Sequence, residues 1–225
     1  MAVKNHLPKE PPARVGVVIP TLERPNELRH TLEQLRAQTW MDWCAVIVDQ
    51  SAVPSLVVEP PPFRDLGVSE YVPDLIGYPR VVYIHVPWQR GSSDARMVGL
   101  AVVQALGCES VVFLDDDDTF DREYLEALRR VLDTNPHADL AACDVINRRD
   151  GDGELTVLSR DLYPMPSRML RLASYRGERM DGEGPAQDHR WWLQFADRVT
   201  VHCGRALHTA MSAPSGGLRD TSGRY

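Results

Sequence analysis

Lysine is almost missing from this chain. Of its 25 basic residues only Lys4 and Lys9 are lysines, so every function that needs a lysine beyond residue 9 is excluded. The four cysteines, Cys44, Cys108, Cys143 and Cys203, are far apart and form no C-x-x-C pair, which speaks against a zinc knuckle or a thioredoxin-like site. Three of them sit inside apolar runs and read as small packed hydrophobes. Neither G-x-x-x-x-G-K-[ST] nor G-x-G-x-x-G occurs, so P-loop and dinucleotide-fold readings lack their phosphate loops, and without G-x-S-x-G there is no nucleophile elbow. Nowhere do about 18 apolar residues run together. The opening "MAVKNHLPKEPPARVGVVIP" carries proline and charge where a signal peptide needs an apolar stretch, so a soluble, cytoplasmic protein is expected. A net charge of −7 leaves no basic footprint for wrapping nucleic acid.

What is present has a clear order. "RVGVVIP" (14–20) and "CAVIVDQ" (44–50) read as strands buried on both faces, with an amphipathic helix carrying Leu28, Leu32 and Leu35 between them. Six prolines between 51 and 79 predict an irregular span. "RVVYIHV" (80–86) resumes as a strand, "SSDARMVGLAVVQALG" as a helix, "SVVFL" (110–114) as a strand, and "DREYLEALRRVLDTNP" as a helix stopped by Pro136. A strand over 139–147 with a hairpin partner in "ELTVLS", weakly patterned residues 160–185, a short helix over 186–197 and a last strand over 198–203 follow. Residues 213–225 are expected to form a loose tail. Alternating strands and helices imply a mostly parallel, Rossmann-like sheet covered on both faces, a three-layer α/β/α fold. Ligands of such sheets bind beyond the carboxyl ends of the strands. The polar residues there are Thr21 and Glu23, Asp49 and Gln50, and Asp115 to Asp118.

"VVFLDDDDTF" (111–120) sets four carboxylates directly after a buried strand. Two unit charges about 4 Å apart repel by roughly 4 kcal/mol at the effective dielectric of a protein surface, so something must offset them. Hard oxygen ligands of this kind suit Mg²⁺ or Mn²⁺. Asp49 reads either as a turn cap or as a hydrogen-bond partner of a nucleotide's base or ribose. Arg96, at the start of a helix, is a candidate for holding a phosphate. Asp188, beside His189 and ahead of Trp191 and Trp192, is either a helix cap before core tryptophans or a general base with aromatic walls for a sugar. His202 and His208 are candidate ligands in or near a late strand.

The acidic stretch also fits hhhhDxDx[TV], the nucleophile loop of haloacid dehalogenase-like phosphatases. Those enzymes need a later lysine, or occasionally arginine, and a later acidic pair. Here no lysine follows residue 9 and no two adjacent acids follow Asp118, so that reading falls away.

From residue 14 to about 208 the chain resembles a family 2 glycosyltransferase of the GT-A fold. "VVIPTLERPNELRHTLEQLRAQTW" is similar to the family's opening strand and helix, and "VIVDQSA" to "IIVDDGS". "GSSDARMVGLAVVQALGCESVVFLDDDD" is similar to the segment ending in "FLDADD", and "AQDHRWW" to the later "ED" segment. The resemblance implies one GT-A domain over 14–208, with a nucleotide-sugar half (14–118) and an acceptor-side half (119–208) between flexible tails at 1–13 and 213–225. It implies a nucleoside-diphosphate sugar donor bound by Pro20, Thr21, Glu23, Arg24, Asp49, Gln50, Arg96, Asp115 and Asp116. Mn²⁺ or Mg²⁺ would be held by Asp117 and Asp115 with His208. Asp188 would be the base of an inverting transfer to a hydroxyl-bearing acceptor, which Trp191, Trp192 and His189 would contact.

Gln50, Met97 and Gln187 depart from the pattern and are expected to alter donor choice without removing catalysis. Little chain follows His208, which favours a small or partner-supplied acceptor site over a processive synthase; a homo-oligomer is compatible with the sequence. Two rivals stand beside this reading. A sugar-nucleotide nucleotidyltransferase needs a glycine-rich loop after the first strand, which "IPTLERPNEL" does not offer; a catalytically inactive sugar-nucleotide or carbohydrate-binding module is the other.

Overall fold

Successive side chains of β1 (Val15–Thr21) enter different layers. Val15, Val17 and Ile19 join one apolar cluster, and Val18 joins the other. The same alternation divides β2 (Trp43–Asp49), with Trp43, Ala45 and Ile47 on one face and Cys44, Val46 and Val48 on the opposite one. Burial on both faces is why these strands read as near-continuous apolar runs. The computed structural model describes residues 13–56, 81–87, 90–149, 155–157, 165–180 and 187–212.

Two helices cover each face. On the first lie α1 (Pro25–Arg36) and α3 (Tyr124–Thr134), which bury Leu28, Leu32, Leu35, Leu125, Leu128 and Leu132. On the second lie α2 (Ser92–Ala105), through Ala95, Leu100 and Val103, and the short α4 (Gln187–Leu193), through Trp191 and Trp192. The result is the expected α/β/α sandwich.

The nine-stranded sheet runs in the order β3-β2-β1-β4-β8-β6-β9-β5, with β7 (Leu155–Val157) flanking β6 (Leu140–Arg149). β3 (Val81–His85), β2, β1 and β4 (Ser110–Phe113) are mutually parallel, and their register sets Thr21 beside Asp49 and Asp49 beside His85. β4 pairs only as far as Val18, so the acidic run leaves the sheet alongside the end of β1. Beyond it β8 (Arg168–Arg171) is antiparallel to both β4 and β6. β9 (Thr200–Ser212) is parallel to β6, and β5 (Thr119–Phe120) closes the edge antiparallel to β9.

Three features differ from the sequence expectation. β5 and β8 are additional strands, and β9 runs to Ser212 where the apolar pattern stopped at Cys203. Gly204, at φ 70°, lies beside the register shift between Ala142 and Asp144, so a left-handed glycine absorbs the irregularity and the strand continues. Ala13, assigned to the tail, is buried in the cluster of α2 and α4. Residues 1–12 and 213–225, most of the proline-rich span and parts of 160–185 lie outside the described residues. Among the described residues no helix is long and apolar enough to cross a membrane.

α2 sits unusually close to β1. A Cβ on Gly99 would lie 2.3 Å from Val18 Cγ1, and one on Gly16 would lie 2.2 Å from Val103 Cγ1. That approach sets the depth of Arg96, one turn ahead of Gly99.

Candidate active site at the carboxyl ends of the parallel strands

Each of the four consecutive carboxylates is engaged by a side chain. Asp115 accepts from Arg96 Nη2. Asp116 is buried, taking Thr21 Oγ1 at 2.6 Å and Arg24 Nη1 at 3.1 Å. Asp117 takes the same Arg24 Nη1 at 2.6 Å, and Asp118, also buried, lies 2.7 Å from His208 Nε2. Arg96 and Arg24 offset the repulsion that the sequence posed as a problem, and a hydrogen bond with His208 engages the fourth acid.

Polar residues of α1 and of the chain just after it hold the backbone of this turn. Thr31 Oγ1 donates to the Asp116 carbonyl, Gln34 Nε2 to the Asp118 carbonyl and Gln38 Nε2 to the Asp121 carbonyl. In return the Phe120 amide donates to Gln34 Oε1 and the Leu125 amide to Gln38 Oε1. Sequence reading missed this ladder, although Thr31 and Gln34, three apart, share one side of α1 and Gln38 follows just past the end of the helix.

The two arginines differ in burial. Arg96, its side chain 4% exposed, bridges Asp115 to Asp188, donating from Nη1 to Asp188 Oδ1 at 3.1 Å. Removing one member of a buried ion pair costs about 3–5 kcal/mol, so this bridge is rigid. Arg24 is 45% exposed and Asp117 40%, and a pair exposed to that degree contributes only about 0–1 kcal/mol. The Arg96 bridge is buried, and the Arg24–Asp117 contact is the exposed one that is cheap to open.

Burial sets the proton affinities. It pushes Asp116 up to about 6 against the opposing Thr21 hydrogen bond and Arg24 charge. It raises Asp117 too, with Arg24 opposing. Asp188 is likewise raised, burial outweighing the nearby Arg96 guanidinium, which makes this carboxylate a stronger proton acceptor than an ordinary aspartate. Its second oxygen accepts from the Met165 amide at 3.0 Å, so both are oriented.

Glu23 and Arg24 stand on the turn after β1. Glu23 adopts φ 55°, an uncommon conformation for a side chain of its size. Its amide donates to Ser51 Oγ at 2.7 Å and its Oε1 accepts from the Ala52 amide at 2.7 Å, clasping the turns that follow β1 and β2. Pro20, half-buried, ends the apolar part of β1.

Several expected roles change. Asp49 is fully buried, and its oxygens accept from the Ser51 amide, the Ser55 amide and the Tyr83 hydroxyl. It shapes the turn after β2 and offers no surface to a nucleotide; of its two readings the turn cap holds. His208 is buried, engaged by Asp118 and stacked on Phe120 with ring centroids 5.5 Å apart, so it supports the acidic turn from beneath instead of joining Asp115 and Asp117 around a cation. Trp191 and Trp192 are each 1% exposed and packed with Phe195, so neither ring can stack on an acceptor. His189 is half-buried beside Asp188.

The sequence profile of glycosyl transferase family 2 matches residues 16–187. The chain belongs to that family. An uncharacterized glycosyltransferase of Haemophilus influenzae is 27% identical over 137 residues, 59% of this chain and 40% of that protein. Among solved structures, S. aureus TarS 1-349 superposes with a TM-score of 0.64 at 18% identity, covering 88% of this chain and 60% of that one. TarS 1-349 has also been solved with UDP-GlcNAc, matching with a TM-score of 0.64 at 17% identity over 94% of this chain and 62% of that one. The mannosyltransferase PcManGT from Pyrobaculum calidifontis, in complex with GDP-Man and Mn²⁺, matches with a TM-score of 0.61 at 13% identity over 93% of this chain and 60% of that one. The chain thus spans less than two thirds of the length of these proteins.

Within this member of the family the three departures have local explanations. Gln50 Nε2 donates to the Gly91 carbonyl at 3.2 Å, and its amide donates to the Thr21 carbonyl, tying the end of β2 to the start of α2 and the end of β1. Gln187 Nε2 donates to Ser92 Oγ at 2.7 Å, while its Oε1 accepts from Ser93 Oγ at 3.1 Å. A neutral amide donates and accepts at once, which a carboxylate cannot, and it fastens the first turn of α4 to the first turn of α2. Met97 packs half-buried against the cluster of α2 and α4.

Proposed function

We propose that this glycosyltransferase moves a sugar from a nucleoside-diphosphate sugar to an acceptor hydroxyl with inversion at the anomeric carbon. One observation carries the reading: a single buried guanidinium, Arg96, joins Asp115 on the acidic turn to Asp188 on α4. The residues suited to the leaving diphosphate and the residue suited to the incoming hydroxyl thereby face each other across one rigid group. The UDP-GlcNAc and GDP-Man bound by the similar structures support a diphosphate-sugar donor.

The donor set suits a divalent cation. Asp115 and Asp117, 28% and 40% exposed, are hard oxygen ligands from one turn. Mg²⁺ commonly takes about one or two carboxylates and completes its shell with water and substrate phosphates, so two such carboxylates are enough. When bound, Mn²⁺ or Mg²⁺ neutralises charge developing on the leaving diphosphate.

The protein's own part is positioning and proton transfer. Thr21, Glu23 and Arg24 line the donor end of the crevice, with Gln50 behind them. Asp188 accepts the acceptor's proton as the new C–O bond forms and the bond to the diphosphate breaks on the opposite face, the electron pair leaving with the phosphate. Arg96 keeps both carboxylates in place meanwhile.

A transfer assay across UDP- and GDP-sugars with Mn²⁺, with the product anomer read by NMR, tests this. Asp188→Asn should lower kcat by about 10²–10⁴-fold while leaving donor binding intact, and Asp117→Asn should weaken metal-dependent donor binding. Full activity in both variants, or retention of configuration, would sink the reading.

A further inference from the structure

We propose that Arg24 is an exchangeable counter-cation, holding Asp117 until a divalent ion takes its place and then turning to the donor's diphosphate. The inference rests on the metal-assisted donor reading above and concerns how the two ligands become coupled.

The geometry is asymmetric in a way that points to exchange. Arg24 meets both acids through the same Nη1 atom, 3.1 Å from Asp116 and 2.6 Å from Asp117. Asp116 is buried and also held by Thr21, so it keeps a hydrogen bond of its own when Arg24 turns away. Asp117 is exposed, and among the described residues Arg24 is the hydrogen-bond partner of its side chain. A cation that takes Asp117 Oδ2 must displace the guanidinium nitrogen lying against it, and one that takes the other oxygen meets the same positive charge close by. Arg96 offers no comparable freedom, because it is buried and bound to two carboxylates on different elements.

Movement of Arg24 is confined to its side chain. The backbone just before it is fixed, since Glu23 is clasped to Ser51 and Ala52, and Pro25 opens α1 just after it. Swinging the side chain keeps the guanidinium at the same crevice, where its planar fork suits phosphate oxygens. A cation alone must displace Arg24 with nothing to receive it, whereas a cation arriving with a diphosphate supplies a new partner. The two ligands therefore favour each other, and by linkage the coupling is reciprocal.

Mn²⁺ binding separates the possibilities. The full chain, Arg24→Gln, Arg24→Lys and Asp117→Asn are titrated with Mn²⁺ alone, followed by the EPR signal of the free ion, then again with saturating UDP or GDP. Arg24→Gln should bind Mn²⁺ alone about fivefold more tightly than the unaltered protein, as expected from losing a competitor worth about 1 kcal/mol, and should lose most of the tightening that the diphosphate brings. Arg24→Lys, which keeps the charge but not the planar fork that suits a diphosphate, should fall between and keeps the test available if the glutamine variant does not fold. If Arg24→Gln, or failing it Arg24→Lys, binds Mn²⁺ no more tightly and the diphosphate coupling is unchanged while Asp117→Asn abolishes binding, the exchange is wrong and the metal site stands. If the unaltered protein binds no Mn²⁺ with either diphosphate, the metal reading fails and takes the exchange with it.

Discussion

Arg96 Nη1 donates to Asp188 Oδ1 across 3.1 Å from a guanidinium that water scarcely reaches. Burial raises the proton affinity of Asp188, and Arg96 opposes that rise. A base works only when deprotonated, so activity climbs as pH rises through the value of Asp188, which lies above the ordinary aspartate value of 3.8. Arg96→Gln removes the opposing charge and should move the acid limb of kcat/KM to higher pH while lowering kcat. The variant also loses about 3–5 kcal/mol of stability from the stranded carboxylates, so its profile belongs at a temperature where it stays folded. An unmoved acid limb would show that Arg96 does not tune this group.

Trp191 is a second point of decision. It contacts Phe113, Tyr175, Trp192 and Phe195 at ring-centroid distances of 5.0 to 6.4 Å, all within the layer between the sheet and α4. Trp191→Ala should cost about 3–5 kcal/mol by opening a cavity, read as a shift in denaturation midpoint. Trp191→Phe should cost less and leave the KM for acceptor unchanged. A large rise in acceptor KM with unaltered stability would restore the stacking role that burial denies it.

β1 to β4 and α1 to α3 were legible because their periods are plain: near-continuous apolar runs for β1, β2 and β4, and leucines three and four apart for α1 and α3. β8 was not. Its sequence is Arg-Met-Leu-Arg, without a β-branched residue, and its arginines serve tertiary contacts: Arg168 lies over the Trp192 ring at 5.4 Å, and Arg171 donates to the carbonyls of Leu132 in the last turn of α3 and of Asn135 and Ala138 beyond it. At the site, residue types pointed to the acidic turn, Arg96 and Asp188, since charge beside a buried strand demands compensation. Side-chain direction was beyond them. Whether Asp49 caps a turn or meets a ligand depends on Tyr83, 34 residues later, which no local spacing connects to it.

Asp49 itself makes a stability prediction. Burial alone would raise its proton affinity, but hydrogen bonds from Ser51, Tyr83 and Ser55 outweigh burial and hold it below 3.8. A depressed carboxylate stabilises the fold above its unfolded value, and that contribution disappears as pH falls through the folded value. Asp49→Asn should therefore melt well below the unaltered protein at pH 7, and the gap should narrow once the pH drops below about 4. Hydrogen bonds to a charged group are worth about 1.5–3 kcal/mol, so Tyr83→Phe should show a smaller part of the same loss. A gap independent of pH would mean that Asp49 acts by shape alone.

The close contact of α2 with β1 ties this stability to the chemistry. Gly99→Ala drives a methyl to 2.3 Å from Val18 Cγ1, a contact that real Cβ atoms do not tolerate, so the helix or the valine must move. Overpacking of this kind costs about 1–3 kcal/mol. Val18→Ala in the same protein makes room for the methyl, so the double variant should recover part of the loss, a coupling that a double-mutant cycle in denaturant measures directly. Arg96 rides on the same helix three residues earlier, and a helix lifted from the sheet draws its guanidinium away from Asp115 and Asp188. Gly99→Ala should consequently lose more kcat than an equally destabilising change on α3, and the Val18→Ala partner should restore kcat along with stability. If stability returns and kcat does not, the depth of α2 is not what sets Arg96 against Asp188.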